Sequence, residues 1–217
     1  METIAFILHN LPAIGERTLE HVSIVSVAVG IAIVTGVPIG IAITHSQRAA
    51  DTVLYLGSIV MTIPSIALFG VLIPLLSKIH QGIGYLPAVI AAMLYAQLPI
   101  VRNTYTAIRN LDPALRSAAI GMGMSPTQRL WRVEIPIAMP VIIAGVRIAV
   151  VINIGVTAIA AYIGAGGLGT FISRGISQTD VRQLLTGALT LALLAIAADY
   201  ALLWLQIRLA PKGGARA

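Results

Sequence analysis

The chain has 217 residues, 58% of them hydrophobic and only 10% charged, with a formal charge of +6 and no cysteine. Soluble domains average roughly 45–50% apolar and about 25% charged residues, so a mean hydropathy of +0.93 excludes a soluble globule and points to a polytopic membrane protein. Thiol chemistry is excluded with the cysteines, and nucleic acid is not expected as a partner because the basic residues lie between apolar runs rather than on one soluble face.

In chain order, the N-terminus leans acidic (Glu2, Glu16 and Glu20 against Arg17) and lacks the basic region of a cleavable signal. Residues 21–44 carry no Asp, Glu, Lys or Arg and predict a first span. Residues 53–77 and 84–101 predict two more, as do 138–163, interrupted only by Arg147, and 184–207, interrupted only by Asp199. About 20 helical residues cross ~30 Å of hydrocarbon. Barrel strands are excluded, since they would alternate every second residue in ~10-residue pieces. The expectation is an all-α bundle of about five transmembrane helices forming one domain over residues 1–217.

Lys and Arg orient the spans. With the N-terminus outside, the inner side holds nine: Arg48, Arg102, Arg109, Arg116, Arg129, Arg132, Arg208, Lys212 and Arg216. The outer side holds four, Arg17, Lys78, Arg174 and Arg182. The positive-inside tendency therefore favours N-out and C-in. Pro38, Pro64, Pro74, Pro87 and Pro99 recur within the spans, and Gly36 and Gly40 form a GxxxG. Each fits ordinary helix packing or broken helices lining a path.

Residues 102–136 form the one long, basic loop, on the cytoplasmic side. Asp112 and Pro113 are an N-cap and first helical position, and that helix should stop at Gly123. Ser125, Pro126 and Gln128 begin a second helix with a capping box, which Pro136 should end before the next span. The two helices present small apolar residues (Ala114, Ala118, Ala119, Met122, Met124) rimmed by Arg116, Arg129 and Arg132. Such a surface suits docking in a groove of another protein or lying on the inner leaflet.

The same residues carry a resemblance. Ser117-Ala118-Ala119, three residues, Gly123, nine residues, then Val133-x-Ile135-Pro136 resembles the EAA loop of permeases of ATP-binding-cassette importers, with Ser117 at the position of the motif's glutamate. Residues 95–169 are similar to permeases for osmoprotectants and quaternary amines such as glycine betaine, choline and carnitine. The segments that carry this likeness are LPIVRNTY at 98–105, DPALR at 112–116, GMG at 121–123, QRLWRVEIP at 128–136 and IGAGGLG at 163–169. The resemblance implies the type I importer permease fold in the bacterial inner membrane. It implies three kinds of partner: a cytoplasmic ATPase dimer, a second identical or sister permease, and an external solute-binding protein. It also implies an ATPase-coupling role for Asp112, Pro113, Arg116, Ser117, Ala118, Ala119, Gly121, Gly123, Ser125, Arg129, Val133, Ile135 and Pro136. An importer for amino acids such as methionine would be built alike.

The chain itself shows no GxxxxGK[ST] loop, so ATP and Mg²⁺ are expected on the partner, with no cofactor or metal here. Gly164-x-Gly166-x-x-Gly169 follows an apolar helix rather than a strand and is expected to be an external turn, not a dinucleotide fingerprint. His9, His21, His45 and His80 lack metal-ligand spacing and are expected at interfaces. With no catalytic grouping visible, the chain is not expected to be an enzyme. A stand-alone channel or secondary carrier would need inverted repeats or more mid-membrane ionisable groups. Arg147 and Asp199 each lie about 12 Å from the predicted cytoplasmic helix end. They are expected to pair with one another, Arg147 snorkelling to headgroups being the alternative. Asn153 and Thr157 are candidates for lining the solute path.

Overall fold

The computed structural model describes residues 2–210; Lys212 and Arg216 of the inward basic count lie outside them. The described chain is helical. A short α1 (Glu2–His9) precedes α2 (Leu11–Ala42), which begins ten residues before the expected first span and closes in a 3₁₀ turn, Ile43–His45. Next come α3 (Gln47–Thr62), α4 (Ser65–Ser77), α5 (Tyr85–Arg109), α6 (Pro113–Gly121) and α7 (Pro126–Arg129). A π-helical turn, Leu130–Glu134, joins α7 to α8 (Ile135–Ile159), and α9 (Gly169–Ser177) and α10 (Val181–Leu209) complete the chain. Four helical stretches are long and apolar enough to cross a membrane, and the bent pair α3 and α4 together has the length and composition of a fifth.

Of the two readings open for the prolines, Pro64 takes the broken-helix one, inside the stretch expected as the span over 53–77. Between α3 and α4 the axis turns by 96°. Pro64 disfavours helical geometry at the residue before it, and Ile63 is extended, with ψ 123°. A bare carbonyl inside a bilayer is costly, and here Tyr95 of α5 donates its hydroxyl to the Ile63 carbonyl. Pro38, Pro74 and Pro99 sit inside continuous helices, so proline alone does not decide where a span breaks.

The centre of the bundle is α5, packed against α2, α3, α4 and α8. Its inward positions are small: Ala88, Ala91, Ala92 and Ala96 are all buried. Close approach of α2 rests on glycine. A Cβ on Gly40 would lie 2.6 Å from the Thr104 Cβ and 2.9 Å from the Val101 carbonyl oxygen, and one on Gly36 would lie 2.9 Å from Gln97 Oε1. The GxxxG therefore works as a packing seam.

At the outer end, Gly164, Gly166 and Gly167 adopt φ of 78°, 79° and 77°, a conformation that only glycine takes readily. The Gly167 N–H donates to Glu20 Oε2 at 2.8 Å, and Arg17 holds the same carboxylate at 2.8 Å. His21 is buried next to this turn, its Nε2–H on the Ile154 carbonyl at 3.0 Å, whereas His9, His45 and His80 are exposed. Asp180 caps α10 by accepting from the Arg182 N–H at 3.0 Å. The Arg182 side chain, then Gln183, holds the Asp180 carboxyl down at about 2.

Candidate functional site: the cytoplasmic hinge and the charge pair above it

The hinge is built by local chemistry. Asp112 accepts from the Ala114 N–H at 2.8 Å and Pro113 opens α6. The helix stops because Gly123 takes a left-handed φ of 75°. Its N–H reaches the Ile120 carbonyl at 2.9 Å, and the Met124 N–H reaches Ala119 at 3.2 Å, which is the paired bonding of a Schellman motif. Ser125 and Gln128 then cap α7 reciprocally, at 3.3 and 3.0 Å. Two helices thus meet at a bend with most of their end groups satisfied.

Pro136 does not end the second helix, contrary to the sequence expectation. Helical structure runs without a break from Pro126 to Ile163. The π turn just before Pro136 widens the backbone ring where the proline would otherwise clash with the Arg132 carbonyl four residues back. The cytoplasmic piece and the span above it are consequently one rod. Val133 and Ile135 are half-buried and Pro136 is exposed.

Which residues face outward is also corrected. Ala114, Ser117, Ala118, Gly121 and Met122 are exposed, and their spacing places them on one face of α6. Ala119 is buried and belongs to the opposite side. Arg116 and Arg129 do not rim the surface; they turn inward to Glu134. Glu134 is buried, 6% exposed as a residue, and its carboxylate accepts from Arg129 Nε at 3.0 Å and lies 3.2 Å from Arg116 Nε. Arg116 Nε is close but poorly aimed for a hydrogen bond, so its share is mainly Coulombic. A second nitrogen of Arg116 donates to the Ile108 carbonyl at the end of α5. Glu134 therefore ties α5, α6 and α7 together. No motif or spacing singles it out, although it is the only carboxylate in the sequence between Asp112 and Asp180. Leu115, Ile120 and Trp131, which no pattern marks either, are exposed.

Deeper in the span, the structure brings Arg147 and Asp199 together. Arg147 Nε donates to Asp199 Oδ1 at 3.0 Å, and Nη2 reaches both carboxylate oxygens at 2.9 Å. Nη1 donates to Gln206 Oε1 at 2.8 Å. The pair borders an open groove of 620 Å³ between α8 and α10, lined otherwise by Ile148, Val151, Ile196 and Tyr200 among others. Asn153 and Thr157 do not reach it. They are 0% and 1% exposed, because six and ten residues beyond Arg147 they point about 240° and 280° around α8. Asn153 Nδ2 donates instead to the Ala149 carbonyl at 2.9 Å.

Residues 32–212 match the family of binding-protein-dependent transport system inner membrane components. The chain belongs to this family. It is 54% identical over 213 residues to the osmoprotectant import permease protein OsmW of Salmonella typhimurium, spanning 98% of this chain and 99% of that one. It is 36% identical over 210 residues to the choline transport system permease protein OpuBB of Bacillus subtilis, spanning 97% and 94%. Its fold is similar to that of a chain of the MetNI methionine ABC transporter in an inward facing conformation (TM-score 0.83, 22% identity, 91% and 96% of the two chains). The permease therefore has the type I ABC importer permease fold and crosses the inner membrane several times.

Proposed function

We propose that the permease is the membrane subunit of an ATP-driven importer for osmoprotectants of the quaternary-amine class, such as glycine betaine, choline and carnitine. Relatives named for osmoprotectant, choline and carnitine transport support the solute class. In this reading the exposed face of α6 seats in a cytoplasmic ATPase that binds ATP and Mg²⁺. A second permease, identical or sister, completes the solute path, and an external binding protein delivers the solute at the outer end.

One observation carries the coupling role. The α6 face is small, exposed and capped, and the Arg116–Glu134 ion pair joins α6 to a helix that continues as far as Ile163. A push on α6 is then a tilt of α8, which carries Arg147. Two packings of such a bundle can be biased by the nucleotide state of a partner. The test is uptake of labelled glycine betaine by proteoliposomes holding the whole complex. Ala118→Trp should abolish ATP-dependent uptake while the permease still assembles. Uptake of methionine but not of any quaternary amine would move the assignment to the amino-acid importers. Uptake by the permease alone, without ATPase, would replace it with a channel or carrier.

A further inference from the structure

On the side of α6 away from its exposed face, a cavity of 320 Å³ opens between the end of α2, the end of α5 and the hinge. Its size lies within the range of about 300–1,000 Å³ typical of small-ligand pockets. Arg109, Arg116 and Arg129 line it from three separate helices, with His45, Thr127 and a single carboxylate, Glu134. Three guanidinium groups against one carboxylate leave two positive charges in excess. Glu134 is already shared by Arg116 and Arg129, and among the described residues Arg109 has no carboxylate partner. The planar N–H forks of arginine match oxyanions in several directions at once.

We propose that this cavity is an oxyanion site that takes a phosphate group, from an inner-leaflet phospholipid or from a free phosphate. Three features favour phosphate over a carboxylate of the docked ATPase. The site is a recess rather than a projection. It lies behind α6, since Arg116 is two residues, about 200°, from both Ala114 and Ala118 on the exposed face. It sits where the first span ends in the Ile43–His45 turn, the level at which headgroup phosphates meet basic pockets between transmembrane helices. An occupant would bind the end of α2 to the hinge and so fix the angle between the first span and the coupling rod.

The test uses the full-length permease in nanodiscs of phosphatidylcholine, with and without phosphatidylglycerol, and separately with inorganic phosphate. Native mass spectrometry counts retained lipid, and thermal melting reads phosphate binding. Arg109→Gln should weaken binding at least tenfold, while Arg132→Gln, equal in charge change but outside the cavity, should change it less than twofold. Retention of phosphatidylglycerol alone identifies the lipid as the source, and stabilisation by inorganic phosphate alone identifies the free ion. Equal loss in both variants would reduce the effect to general surface charge and overturn the proposal. So would absence of binding to either probe, or a cross-link from Thr127 to an acidic residue of the ATPase. Because binding is read on the permease itself, the result does not depend on which solute is imported.

Discussion

Replacing Glu134 by glutamine keeps its shape and one acceptor oxygen while removing the charge that holds Arg116 and Arg129. The Glu134 side chain is buried and the two arginine side chains are 32% and 26% exposed, so the group is shielded from water and its partners only partly so. A hydrogen bond to a charged group contributes about 1.5–3 kcal/mol, and breaking a fully buried pair costs about 3–5 kcal/mol. Discounting for the exposure of the arginines and for the poor alignment of Arg116 leaves about 2 kcal/mol. At about 1.4 kcal/mol per tenfold, local opening of the hinge should become roughly 30-fold more frequent. Hydrogen exchange of the 113–129 amides in the intact complex reads this directly. Faster exchange there, with the 140–160 amides unchanged, is the expected outcome. Arg132→Gln, which alters an exposed side chain on the same turn, should leave exchange as it is. If Glu134→Gln and Arg132→Gln exchange at the same rate as the parent, Glu134 does not hold the hinge.

The other consequences concern the membrane portion. Arg147→Ala and Asp199→Ala should each destabilise the permease, and the double variant should be less damaged than the sum by about 1–2 kcal/mol. Melting in detergent checks this, and additivity within about 0.5 kcal/mol would dissolve the pair. Tyr95→Phe preserves volume but strands the Ile63 carbonyl at the break between α3 and α4. It should cost about 1–3 kcal/mol and raise exchange at residues 63–66, and an unchanged melting point would show that the carbonyl is satisfied some other way.

The membrane spans were legible because lipid imposes a one-dimensional rule: charge-free runs of sufficient length must be helix. Hinge caps were legible for a different reason. Asp112, Ser125 and Gly123 each act on backbone groups within four residues, so their chemistry is written locally. Pro64 was not separable from Pro74 or Pro99 in the sequence, because what stabilises its break is a hydroxyl 32 residues away. Pro136 reads as a helix end in the sequence, but the π turn over Leu130–Glu134 lets the helix continue through it. Glu134 and the buried side of Ala119 depend on where α6 folds back, and no spacing rule reports that. Arg147 and Asp199 were noticed because unpaired charge in hydrocarbon is costly, whereas uncharged Asn153 and Thr157 carry no such directional signal.

The coupling account is tested most directly by site-specific cross-linking from the outward face of α6. With Ala118→Cys carrying a photoactivatable group, in membranes that hold the complete transporter, the account predicts one predominant product with the ATPase, its yield changing between the ATP-bound and nucleotide-free states. Capture of phospholipid alone in both states would contradict it.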